Sequence, residues 1–146
     1  FFCEQFPYEV EKYLTKGIYL KDEQYALPNG MTLWGSPMTQ TFLNWAFMES
    51  DGNLDRYYWS KIPQETDVLL THGPAHGYLD IGQPQDGHLG SKTLANRIEK
   101  LKIPYVIYGH IHGSYGIKKT KDTTHINCSV LNEDYDLVNQ PIVLDV

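Results

Sequence analysis

At 146 residues, with 41% hydrophobic and 13% aromatic content, the chain is long and apolar enough to bury one core, which excludes a disordered polymer. Lys plus Arg number 12 against 18 Asp plus Glu, a net charge of -6 that argues against general affinity for nucleic acid or for anionic membranes. No run approaches the roughly 20 apolar residues of a spanning helix, and the Phe1-Phe2 start lacks the basic and apolar regions of a signal peptide. The chain opens on Phe, which points to processing or to numbering from inside a longer polypeptide. Two distant cysteines, Cys3 and Cys128, fit thiols in a reducing, intracellular compartment.

In chain order, residues 4–15 are predicted as a short helix and residues 18–20 as an extended piece. Residues 24–27 and 31–34 form a hairpin about the Pro28-Asn29-Gly30 turn. Ser50 or Asp51 caps a helix through Leu54, Tyr57 and Tyr58, with Pro63 as its stop. The apolar run at 67–71 reads as a strand covered on both faces, leading into His72-Gly73-Pro74. Beyond a loop rich in Gly, Gln and Asp, Leu94, Ile98 and Leu101 fall on one stripe of a helix ended by Pro104. Residues 105–108 repeat the buried-strand pattern and deliver Gly109-His110-Ile111-His112-Gly113. The remainder reads as strands at 114–118, 124–130 and 141–146, able to pair antiparallel. There is no repeat, linker or low-complexity tract to divide the chain, so residues 1–146 are read as one domain or part of one.

Strand, helix, strand, with histidines at both strand tips, places side chains where open α/β sheets gather their ligands. A lone His after a strand is more often simply hydrogen-bonded than metal-bound. His110 and His112 carry more weight, because positions two apart in extended backbone point to one side. The joint occurrence of His72 with His110-x-His112 at neighbouring tips is the stronger signal. His76 and His88 are expected in solvent, and His125 as a structural residue of a strand. Asp80, Asp86 and Asp134 are expected to be solvated, and Lys118, Lys119 and Lys121 to form an exposed hairpin end. Trp34, Trp45 and Phe47 are expected in packing. Asn127 and Ser129, on the strand after the histidine motif, can orient a ligand by hydrogen bonding.

Leu70-Thr71-His72-Gly73-Pro74 and Tyr108-Gly109-His110-Ile111-His112 resemble the last two motifs, Gly-His and Gly-His-x-His, of calcineurin-like metallophosphoesterases. The resemblance extends to Trp34-Gly35-Ser36-Pro37, Asn44-Trp45-Ala46-Phe47, Asn127-Cys128-Ser129-Val130 and Pro141-Ile142-Val143-Leu144-Asp145, features similar to a small cytosolic phosphodiesterase-like branch. It implies an α/β fold, part of an αββα sandwich with a mixed sheet, flanking helices and a C-terminal antiparallel region. It also implies two divalent metal ions, Mn, Fe, Zn or Ni, activating a water for attack on a phosphodiester or phosphomonoester. His72 and His110 would hold one metal and His112 the other, with His110 also near the phosphate as the catalytic residue.

The family's earlier motifs, Asp-x-His, Gly-Asp and Gly-Asn-His, do not occur in these 146 residues. Three neutral imidazoles cannot balance two divalent cations, so this chain alone is expected to be inactive. The reading is the C-terminal portion of a cytoplasmic hydrolase acting on a small phosphate ester, its site completed by a missing N-terminal half or a partner chain. A non-catalytic assembly subunit on a truncated phosphoesterase fold is the alternative.

Overall fold

The computed structural model describes residues 2–145. Two short helices, α1 (Phe2–Gln5) and α2 (Pro7–Tyr13), replace the single predicted one, broken at Phe6 where the backbone leaves the helical region and Pro7 starts a new first turn. The hairpin forms as β1 (Glu23–Ala26) and β2 (Thr32–Ser36), with Leu27 and Met31 closing the turn over a left-handed Gly30. A small parallel pair, β3 (Thr39–Gln40) with β4 (Met48–Glu49), follows, and α3 (Asp51–Tyr57) begins at Ser50, whose hydroxyl accepts from the Asn53 amide.

Strands β5 (Val68–Thr71) and β6 (Tyr105–Tyr108) are joined through α4 (Lys92–Leu101). Ser91 caps α4 by accepting from the Leu94 amide and donates to Asp51, which ties the starts of α3 and α4 together. Helix α4 ends at a left-handed Lys102 just before Ile103 and Pro104. Strands β7 (Gly116–Lys119) and β8 (Thr124–Asn127) complete a six-stranded sheet in the order β1-β2-β5-β6-β8-β7. The four inner strands run parallel, whereas β1 and β7 are antiparallel edges.

Three expectations are corrected here. Strand β8 runs parallel to β6 and antiparallel only to β7, because β7 folds back on it at the edge. Residues 141–145 form no strand, and Val146 lies outside the described residues. The third concerns the apolar run at 67–71, which is fully covered on one face, whereas on the other Val68 is buried and Leu70 exposed.

Helices α3 and α4 pack on the face presenting Trp34, Leu69, Val106 and Tyr108, and with Leu54, Trp59, Ile62, Leu94, Ile98 and Leu101 these make the core. The register puts Gly35, Leu70, Ile107, Ile126 and Ile117 in one row across the other face. Leu20 closes on Gly35 there, but Leu70 is 41% and Ile117 48% exposed. An apolar run signals two apolar faces without saying what covers each.

Candidate metal centre

His72 follows the last residue of β5, and His110 stands two residues beyond β6, the strand paired with it. Their parallel pairing brings both loops to the same sheet end, and Gly109 ties the two by donating its amide to the His72 carbonyl at 3.1 Å. His72 Nε2 and His110 Nδ1 then lie 3.1 Å apart, with ring centroids 4.6 Å apart. A close approach of this kind requires a proton on one nitrogen and a lone pair on the other, or a cation between two lone pairs. Gly73 allows the crowding: a side chain there would run into Thr39 Oγ1 and approach the His110 ring.

Desolvation lowers the His72 pKa below the ordinary imidazole value. His110 is pushed down to about 4, first by burial and then by the neighbouring charges His72 and His112 would carry. Both rings are therefore neutral at physiological pH and able to present lone pairs.

The expectation that His110 and His112 face one crevice from extended backbone is not met. His110 adopts φ +69°, in the left-handed region that L residues seldom occupy, and His112 opens a short 3-10 turn, residues His112–Ser114. The two histidines take different partners. His110 meets His72, whereas His112 Nδ1 donates to the Asn132 carbonyl at 2.9 Å and its ring packs edge-on against Tyr135, 5.1 Å away. That hydrogen bond places the proton on Nδ1 and leaves Nε2 as the free lone pair. His112 borders a cleft of about 550 Å³ that Gln83, Tyr115, Asn132 and Glu133 also line. Gly113 is needed for close approach, since a Cβ there would collide with the Gly82 carbonyl.

Asp80 is not solvated as expected but buried, at 1% exposure. Its Oδ2 accepts from the Gly77 and Gly90 amides, each at 3.0 Å, and its Oδ1 from His88 Nδ1 at 2.7 Å. The carboxylate thus folds the loop that follows His72. His88 is accordingly paired rather than free, with the His76 ring 4.9 Å from it. A carboxylate three residues beyond a Gly and ten before another gives no recognisable signal for this clamp. Lys118, exposed as expected, donates to the Gly77 carbonyl at 2.9 Å. Asn127, fully buried, is the residue that joins the loops around the histidines: its Nδ2 donates to the Ile111 carbonyl at 2.7 Å and the Leu79 carbonyl at 3.1 Å.

The chain is 36% identical over 138 residues to metallophosphoesterase domain-containing protein 1 of Homo sapiens and of Mus musculus, matching 94% of this chain and 42% of each relative. UPF0046 protein T07D4.2 of Caenorhabditis elegans is 38% identical over 134 residues, 91% of this chain and 33% of that protein. The chain belongs with the metallophosphoesterase-domain proteins. It spans well under half the length of these relatives.

No protein-family profile matches the chain. One solved structure superposes on it with a TM-score of 0.61 at 18% identity, over 86% of this chain and 51% of that one. TT1561 of Thermus thermophilus superposes with a TM-score of 0.52 at 10% identity, over 84% and 54%. Both likenesses concern the fold. Membership in a metallophosphoesterase family implies divalent metal, and the residues present fit it in part. The 3.1 Å separation suits a cation ~2.1 Å from each of two imidazole nitrogens. Among the described residues, however, no cluster of three or more His, Cys, Asp or Glu side chains can hold a metal. Among the described residues, no helix is long and apolar enough to cross a membrane.

Proposed function

We propose that the complete protein hydrolyses a small phosphate ester, diester or monoester, at a two-metal site to which this chain supplies His72, His110 and His112. The observation that carries the reading is the His72 Nε2 to His110 Nδ1 contact of 3.1 Å at the tips of two paired parallel strands. The names of its relatives support the chemistry. Divalent cations such as Mn, Fe, Zn or Ni supply an activated water and charge neutralisation at phosphorus when bound.

The role of this chain is to present neutral imidazoles. Desolvation lowers the pKa of His72 and of His110, which disfavours the charged rings that would repel a cation. His112, oriented through the Asn132 carbonyl, offers Nε2 to a second cation. The balancing carboxylates come from polypeptide outside these residues, as the length of the relatives allows. Leu70 and Ile117 offer it exposed apolar surface. The C-terminal portion of one metallophosphoesterase domain is the assignment for residues 1–146, with a cytoplasmic location.

His110→Ala in the complete protein is expected to abolish Mn²⁺-dependent hydrolysis of p-nitrophenyl phosphate esters while circular dichroism stays unchanged. Unchanged turnover would sink the reading. The open apolar face equally suits a non-catalytic assembly subunit, which predicts no hydrolysis by the wild-type protein with any of the four metals.

A further inference from the structure

Three loops leave the same end of the sheet: residues 72–91 after β5, residues 109–115 after β6, and residues 128–140 after β8. One side chain bonds all three. Asn127, at the end of β8 and 0% exposed, uses both amide hydrogens and its oxygen. Nδ2 donates to the Leu79 carbonyl in the first loop and to the Ile111 carbonyl in the second, and Oδ1 accepts from the Ser129 amide in the third at 3.1 Å.

One of the two carbonyls it holds belongs to a residue in the left-handed region, and the other directly follows such a residue. Leu79 itself has φ +51°, and Ile111 directly follows His110 with φ +69°. Positive φ is uncommon for any residue with a side chain, and more so for Leu than for His, so contacts in the surroundings hold the chain there. Ile111 is further drawn back on Gly109, its amide donating to the Gly109 carbonyl at 2.8 Å. Across the bend the His110 ring meets His72, while His112 bonds to the Asn132 carbonyl.

We infer that Asn127 is the positioning residue of the histidine centre: its amide locks the bend at Ile111 and so sets the His72 to His110 spacing. Only an amide meets the requirement, because two carbonyl acceptors and one amide donor must be met by two N–H groups and one oxygen. Aspartate has the same shape but would face both carbonyls without a hydrogen to give them. Serine is too short to span the three loops.

The affinity arm of the test rests on the metal reading above; the imidazole arm does not. In the complete protein, Asn127→Asp and Asn127→Ala are expected to weaken Mn²⁺ binding tenfold or more by titration calorimetry. Ile103→Ala, a fully buried core change away from the centre, serves as a destabilised control that keeps wild-type affinity. Nitrogen chemical shifts of the His72 and His110 rings, recorded without metal, are expected to move in both Asn127 variants and not in the control. Wild-type affinity together with unmoved ring shifts in Asn127→Ala would overturn the inference. If wild-type protein binds no Mn²⁺, the metal reading fails, and the ring shifts alone decide the role of Asn127.

Should neither variant fold, the wild-type Asn127 amide protons decide. Slow exchange and a shift on adding Zn²⁺ are expected. Fast exchange, or no response in protein shown to bind Zn²⁺, would overturn the assignment.

Discussion

Replacing His125 by Phe should flatten the acid limb of the protein's stability curve. The ring of His125 is 1% exposed and lies flat on Tyr78, with centroids 3.9 Å apart and planes 5° from parallel. Tyr108 stands 6.4 Å away, and Lys118, with Nζ 5.2 Å over the Tyr78 ring, is the charged group that faces it. Among the described residues, Nδ1 has no hydrogen-bond partner. Burial first and Lys118 second push its pKa down to about 4 from 6.5. Between those values the unfolded chain holds a proton that the folded one lacks, so acid favours unfolding. The contribution is complete above about pH 6.5 and is lost as pH falls toward about 4. At about pH 5, some 1.5 units below the ordinary value, the loss is ~2 kcal/mol.

Phe keeps an aromatic ring against Tyr78 and cannot titrate. Urea unfolding of the complete protein at about pH 7.5 and about pH 5 should therefore show wild type losing ~2 kcal/mol more than the variant. Any constant offset between the two proteins cancels, as do the contributions of His72 and His110 common to both. Parallel pH dependences would refute the burial argument.

The other predictions concern the loop after His72. Asp80→Ala leaves the Gly77 and Gly90 amides and His88 without their acceptor, a loss of ~2–4 kcal/mol. Hydrogen exchange at those two amides should accelerate at least ~10-fold, and unaltered protection would show that the carboxylate holds nothing. Gly90→Ala would push a Cβ to 2.5–2.7 Å from the backbone of Ala75 and His76, costing roughly 1–3 kcal/mol. Gly35→Ala would likewise push a Cβ to 2.5 Å from Leu20 Cβ, which is fixed to the backbone, so an unchanged melting temperature in either variant would contradict the steric argument.

Much of the framework was legible in the residues themselves. Pro28-Asn29-Gly30 marked a hairpin, Ser50 and Ser91 stand at the starts of α3 and α4, and Leu94, Ile98 and Leu101 form the buried stripe of α4. These signals are local, since turn chemistry, capping and periodicity act within a few residues. The placement of His72 and His110 beyond the tips of β5 and β6 followed from the same short-range patterns. The buried role of Asp80 was not legible, because its partners lie in turns whose closure no residue type announces. Nor was the parallel course of β8, which depends on which neighbour the strand finds and not on its own alternation.

By itself the sequence determined which histidines stand at the sheet's carboxyl end, through strand patterns that end in Gly-bracketed motifs. Tertiary structure alone decided how they face one another. Parallel pairing of β5 with β6 brings His72 to His110, while beyond the left-handed bend at His110 the His112 ring is oriented by the Asn132 carbonyl. Contacts between segments distant in the chain leave no periodic trace, so only the folded coordinates could show one buried amide joining three loops.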